Sequence, residues 1–296
     1  MDKDTKTIDI KLPTRWEELD NSLSLGKKKT RFSFCSRLLA NLTQKQPQLR
    51  YVYKLIAQGY SIDEVKAFCL FRWNKITILH RYGDNGYMCK KGKQRFAITA
   101  LQVAQAIAAL DWIKTLPATP IRLERIGRLR AIAADFQGVP FETFIVCDNL
   151  YQGYISTQNE QLLDEMAKFL YSRKFRVESL ELREGWRRLL PPRTPRLTPA
   201  DRISVFYWFA SLKAMFSKEF KNFLQPATSD NANLLDSDRS QYEILTAAVN
   251  AQIRALTKGD VTKEKDVLAL DTWRAMTELD ALAREYQEIN TKYPHK

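Results

Sequence analysis

Residue types and motifs on which many enzymes depend are scarce or missing in this chain of 296 residues. Its only histidines are His80 and His295, and no serine stands in a GxSxG motif, which disfavours Ser-His-Asp and Cys-His catalysis. The phosphate-binding motifs GxxxxGK[ST] and GxGxxG are also missing. We therefore expect a protein that is not an enzyme, with no catalytic residues and no cofactor, and we expect His80 to be a structural residue of a strand.

Cysteine and long apolar runs are also limited. The four cysteines (Cys35, Cys69, Cys89 and Cys147) are widely spaced and form no CxxC pair, so we predict free thiols in a reducing compartment and no metal site. The N-terminal sequence has no apolar signal-peptide segment. No run approaches the length of about eighteen apolar residues that a membrane span needs. We expect a cytoplasmic location and no membrane partner.

Positive charge is abundant, because 47 Lys and Arg residues face 34 Asp and Glu residues, a formal net charge of +13. A net positive charge of this size is compatible with binding to nucleic acid or to an acidic protein surface. It does not distinguish between these two partners. Three basic zones are candidate contacts for an anion or a nucleic acid, although no known nucleic-acid-binding module surrounds them. They are Lys27, Lys28, Lys29 and Arg31; Lys90, Lys91, Lys93 and Arg95; and Arg187, Arg188 and Arg193.

Apolar periodicity predicts an α+β fold that is predominantly helical, with a small antiparallel β-meander near residues 76–98. Ser61 and Glu64 have the spacing of a capping box at the start of a helix. A helix from Thr99 to Ile113 is expected to bury Leu101, Ala104, Ile107 and Ala108. A further helical stretch over 141–171 is expected to break near Gly153.

Composition divides the chain into three regions. Residues 1–115 form an N-terminal helical region with the meander, and 116–199 form a central helical region. The central region ends in a linker with eight Lys or Arg between 173 and 196 and four prolines between 191 and 199. Residues 200–296 form a C-terminal helical region.

The last predicted helix has a broad apolar stripe. Such a stripe covers the body of its own protein or docks on another chain. We predict an assembly interface, with Trp273 as its anchor because tryptophan often dominates binding energy. Its candidate residues are Leu268, Trp273, Met276, Leu279, Leu282 and Tyr286.

Three sequence blocks carry a resemblance: LPTRWEEL, LTQKQPQLRYVYKLIAQGYSIDEVKAFCLFRW and NAQIRALTKGDVTKEKDVLALDTWRAMTELDALAREYQEINTKY. They resemble an uncharacterised family from prophage-like gene clusters of gut bacteria. The block ALTKGD…VLALDTWRAMTEL is more loosely similar to the helical ends of phage tail-assembly proteins. The resemblance implies a non-catalytic structural or assembly protein of a tail or virion, whose partners are phage-type structural proteins or itself. It also implies that the chain can be incorporated into a phage-like particle.

Two alternatives to that role stay open. One is a sequence-independent nucleic-acid-binding protein of a mobile element, and the other is an enzyme of unrecognised type. The arrangement of the basic residues distinguishes the first alternative, because nucleic-acid binding calls for cations on one continuous face beside exposed aromatic rings.

Overall fold

A computed structural model describes residues 10–19, 46–83, 85–127, 129–172, 197–224 and 241–292. The chain divides into two compact units. Unit 1 consists of Met1–Pro117 with Thr198–Tyr207, and unit 2 consists of Ala118–Leu197 with Trp208–Lys296. The described part is predominantly helical with small antiparallel sheets, which confirms the predicted fold class.

Unit 1 combines three helices with the predicted meander. A 3-10 helix at Trp16–Leu19 precedes α1 (Pro47–Ala57) and α2 (Ile62–Trp73). The strands β1 (Ile76–Arg81), β2 (Gly86–Lys91) and β3 (Gln94–Thr99) form an antiparallel sheet in the order β1-β2-β3. Helix α3 (Ala100–Ala108) and a 3-10 helix at Asp111–Lys114 follow. The sheet thus lies between the helical segments along the chain.

Local capping signals fix two helix starts in unit 1. The Ser61 side chain accepts the Glu64 backbone N–H, and the Glu64 carboxylate accepts the Ser61 N–H, as the sequence predicted. Thr99 and Gln102 form the same reciprocal pair at the start of α3. Each pair satisfies backbone donors that the first turn of a helix leaves unpaired.

Aromatic rings fill the core of unit 1. The indole of Trp16 is 2% exposed and lies 6.0 Å from the Tyr53 ring and 5.1 Å from the Trp112 ring. Arg50 Nη1 of α1 contacts Asp201 Oδ1 at 2.8 Å, and the Asp201 side chain is 5% exposed. This ion pair ties α1 to the segment Thr198–Tyr207, which belongs to the same unit.

Unit 2 contains a second small sheet and the remaining helices. Strands β4 (Arg125–Ile126), β5 (Leu129–Ala131) and β6 (Tyr171–Ser172) pair antiparallel. The helices are α4 (Phe141–Thr157), α5 (Glu160–Leu170), α6 (Pro199–Glu219), α7 (Gln241–Thr257), α8 (Glu264–Ala269) and α9 (Thr272–Lys292). A 3-10 helix at Val261–Lys263 precedes α8. The first residues of α6, through Tyr207, belong to unit 1.

Phenylalanines dominate the core of unit 2. Phe136, Phe144 and Phe209 have ring centroids within 6.3 Å of one another. Trp208 and Phe209 are consecutive in α6 and both are fully buried, so α6 is packed on more than one side.

Some sequence-based details differ from the structure. Helix α3 ends at Ala108, and Leu101 is 68% exposed while Val103 is buried, so the predicted buried face was wrong. Helix α4 runs unbroken through Gly153 and ends at Thr157. A Cβ on Gly153 would lie 3.1 Å from a methyl of Leu162, so this glycine lets α5 pack closely against α4.

The division into units also differs from the three predicted regions. The structure groups Ala118–Leu197 with Trp208–Lys296, because aromatic residues of α6 pack against the central residues. Trp208 Nε1, for example, donates to the Ala134 carbonyl at 2.8 Å. None of the helices in the described ranges has the length and apolarity required to cross a membrane.

Candidate nucleic-acid interface

A β-bulge in β1 decides which side chains share a face of the first sheet. Ile78 pairs with Cys89 and His80 pairs with Met88, so Leu79 is an extra residue between them. An extra residue reverses the alternation of side chains from that point onward. Ile78 and His80 therefore lie on opposite faces, although simple alternation would place them together.

One face of this sheet is partly buried against the protein, although three of its nine residues are exposed. The Cys89 side chain is fully buried there, and burial raises the pKa of its thiol. The Tyr87 ring contacts Phe71 of α2 at 5.9 Å, and the Arg81 guanidinium lies over the Tyr87 ring. We call this the inner face; it comprises Ile76, Ile78, Arg81, Tyr87, Cys89, Lys91, Gln94, Phe96 and Ile98.

The opposite face is open to solvent. Tyr82 belongs to it because its backbone N–H donates to the Gly86 carbonyl at 2.9 Å, which continues the pairing of His80 with Met88. Met88 is half-buried, and the other members are exposed. We call it the outer face; it comprises Thr77, His80, Tyr82, Met88, Lys90, Arg95 and Ala97.

Two cations stand directly opposite each other on the outer face. Lys90 of β2 pairs in register with Arg95 of β3, and both are exposed. Like charges in directly opposed positions destabilise a sheet, where favourable pairs contribute about 0.2–1 kcal/mol. Within the described part of the chain, no carboxylate forms an ion pair with Lys90 or Arg95. Among the described residues, this repulsion therefore has no carboxylate partner that would offset it.

Further cations surround this pair at the same end of the sheet. Lys93 lies in the two-residue turn between β2 and β3, where Gly92 adopts a φ of +61°. Lys75 directly precedes Ile76, the residue that pairs with Lys91. We call this group the basic end; it comprises Lys75, Lys90, Lys91, Lys93 and Arg95. Asp84 is the single acidic residue between positions 75 and 99 of the sequence.

Two exposed rings lie toward the other end of the outer face. The His80 and Tyr82 rings meet edge to face, with centroids 4.9 Å apart. Tyr82, which directly follows β1, is 48% exposed. His80 is likewise exposed, so its surroundings differ from those of a buried structural histidine. The two rings thus lie on the same sheet face as Lys90 and Arg95.

The sequence-predicted basic residues fall into different places. Lys90 and Arg95 lie on the outer face and Lys93 in the adjoining turn, whereas Lys91 is half-buried on the inner face. The structure brings these four residues to one end of one sheet. The other two predicted zones (Lys27, Lys28, Lys29 and Arg31, and Arg187, Arg188 and Arg193) lie outside the described residues.

The predicted assembly stripe of the last helix is mostly occupied by contacts within unit 2. Met276 and Leu279 are buried, and Trp273 Nε1 donates to the Asp135 carbonyl at 2.6 Å. The Trp273 ring lies 5.4 Å from Phe216 and 5.6 Å from Phe220. Trp273 is half-buried and packs against residues of its own unit, and its role as an interface anchor stays a prediction. Leu268 and Leu282 are half-buried, and Tyr286 is 66% exposed.

The polar and aromatic residues of the candidate interface that sequence reasoning missed include Lys75, Thr77, His80 and Tyr82. Lys75 and Thr77 become recognisable once β1 is paired with β2, because the register places them beside the basic turn. His80 and Tyr82 lie on the outer face only because of the bulge. No residue type within β1 predicts that bulge.

Among the residues that the structure describes, no three His, Cys, Asp or Glu side chains are grouped so that they could hold a metal ion. No protein-family model, curated protein or solved structure matches this chain.

Proposed function

We propose that this chain is a non-catalytic nucleic-acid-binding protein that contacts the phosphate backbone with the basic end of its first sheet. The observation that carries the proposal is the exposed pair Lys90 and Arg95, which has no carboxylate partner among the residues that the structure describes. A phosphate bound between them would reduce their mutual repulsion, so the binding of an anion would be favourable at this position.

The composition of the surface favours nucleic acid over an acidic protein. Lysine is depleted in protein–protein interfaces, whereas Lys and Arg contacts to phosphate dominate nucleic-acid binding. The basic end holds four lysines and one arginine. None of its contacts would read a base sequence, so the binding that we propose is independent of sequence.

The test is a titration of fluorescently labelled DNA, followed by anisotropy at several salt concentrations. Each phosphate contact contributes about 0.9 to the slope of log affinity against log salt on duplex DNA. Replacing both partners, Lys90→Gln with Arg95→Gln, should therefore reduce the magnitude of this slope by about 2. Affinity at low salt should fall as well.

A matched control removes the same amount of charge elsewhere. Lys54 of α1 and Lys218 of α6 are both exposed, and the pair Lys54→Gln with Lys218→Gln should leave the salt slope unchanged. Equal slopes for the two double variants would refute the role of the basic end. Absence of binding at low salt would refute the proposed function.

A second candidate is the assembly role in a phage-derived particle that the sequence resemblance implies. The observation that favours it is the exposed end of α9, where Tyr286 is 66% and Ile289 is 58% exposed. Sedimentation of the wild type and of Tyr286→Ala would test it. A wild type that remains monomeric and binds no phage structural protein would refute this candidate.

A further inference from the structure

We infer that the outer face binds single-stranded nucleic acid in preference to duplex, with His80 and Tyr82 as stacking platforms for bases. This inference rests on the proposed function and names the form of the ligand. It is carried by the position of two exposed rings on the same sheet face as Lys90 and Arg95.

The geometry suits a strand laid along β2. The position of Gly86, opposite Tyr82, and the position of Lys90, opposite Arg95, are separated by four residues of β2. Four residues of antiparallel strand span about 14 Å. A backbone held by the cations at one end could therefore place the adjoining bases over the rings at the other end.

Ring contacts of this kind are available to unpaired bases and not to bases within a helix. A duplex keeps its bases stacked on one another, and only their edges are accessible in the grooves. In a single strand each base has a free π-face that can stack on an aromatic side chain, whatever its identity. Two exposed rings on the same open sheet face as two cations are thus more useful to a single strand.

The bulge at Leu79 is the feature that creates this arrangement. Without the extra residue, His80 and Tyr82 would share the face of the buried Cys89 and of Ile78, which is 42% exposed, and not the face of Lys90 and Arg95. Bulges often redirect a side chain at a functional site. Leu79 itself is 46% exposed, so the bulge gains no burial for its own side chain.

The experiment compares a short labelled oligo(dT) with a dA·dT duplex of the same length, using anisotropy at one salt concentration. The wild type should bind oligo(dT) more tightly. Tyr82→Ala should weaken oligo(dT) binding by about fivefold or more, because the lower end of the range for a base–aromatic stack corresponds to that factor. Duplex binding should be unchanged within about twofold, since its contacts lie at the basic end.

Tyr82→Phe is the matched control, because it keeps the ring and removes only the hydroxyl. Its oligo(dT) affinity should equal that of the wild type. Equal affinity for the two DNA forms, or an oligo(dT) affinity that Tyr82→Ala leaves unchanged, would overturn this inference while the proposed function stands. Failure to bind either form would overturn both.

Discussion

Trp273→Ala removes an indole that joins the last helix to the core of unit 2. In the folded protein its ring contacts Phe216 and Phe220, and its Nε1 donates to the Asp135 carbonyl. Truncating a core tryptophan to alanine typically costs 3–5 kcal/mol, because apolar contacts are lost and a cavity remains. Since Trp273 is half-buried, we expect a loss of about 3 kcal/mol, at the lower end of that range.

Two companion variants separate the contributions. Trp273→Phe keeps an aromatic ring but loses the hydrogen bond to Asp135, which should cost about 1 kcal/mol or somewhat more. Tyr286→Ala lies in the same helix at an exposed position and should change the free energy of unfolding by no more than about 0.5 kcal/mol.

Urea unfolding measures these differences through the shift in midpoint at constant slope. We expect the wild type and Tyr286→Ala to share the highest midpoint. Trp273→Phe should have a lower midpoint, and Trp273→Ala the lowest. A Trp273→Ala protein that unfolds at the wild-type midpoint would show that the contacts of Trp273 within unit 2 do not stabilise the fold. If that variant instead lost self-association without losing stability, Trp273 would be the interface anchor that the sequence first suggested.

Three other predictions concern ionisable groups. Asp201→Ala should lower the free energy of unfolding by about 3 kcal/mol, because it leaves Arg50 without its carboxylate in a mostly buried site; a denaturation midpoint equal to that of the wild type would contradict this. The Cys69 thiol is fully buried, and desolvation raises its pKa to about 12, so iodoacetamide at neutral pH should modify it only after unfolding. Prompt labelling of the native protein, detected by mass spectrometry, would show that the site is open. Burial acts to raise the pKa of Asp280, but hydrogen bonds from Asn222 and the next residue outweigh it and keep the pKa below its usual value. The stability that this carboxylate contributes over Asp280→Asn should therefore be present at neutral pH and disappear as the pH falls below about 4; a difference that does not change with pH would argue against it.

Features encoded by neighbouring residues were predictable from the sequence. The capping box of Ser61 and Glu64 needs only residues three apart, and it forms as expected. The meander was also predictable, because its apolar segments and glycine turns follow one another directly. The basic turn at Lys93 could be located for the same reason.

Features set by distant partners were not predictable. The bulge at Leu79 depends on how β1 and β2 align, and a shift of one residue reverses every side chain beyond it. The surroundings of Trp273 depend on Asp135, which lies 138 residues earlier in the chain. An apolar stripe has the same sequence whether it covers its own protein or another chain, so the pattern could not decide between them.

The most direct test of the central claim locates the DNA on the protein surface. Lysines are acetylated with a limiting amount of reagent in the presence and absence of DNA, and the extent of modification at each position is measured by mass spectrometry. We expect DNA to protect Lys90 and Lys93, because phosphate would cover their ammonium groups, and to leave Lys54 and Lys218 equally reactive. Full reactivity of Lys90 and Lys93 under conditions where DNA is bound would contradict the account.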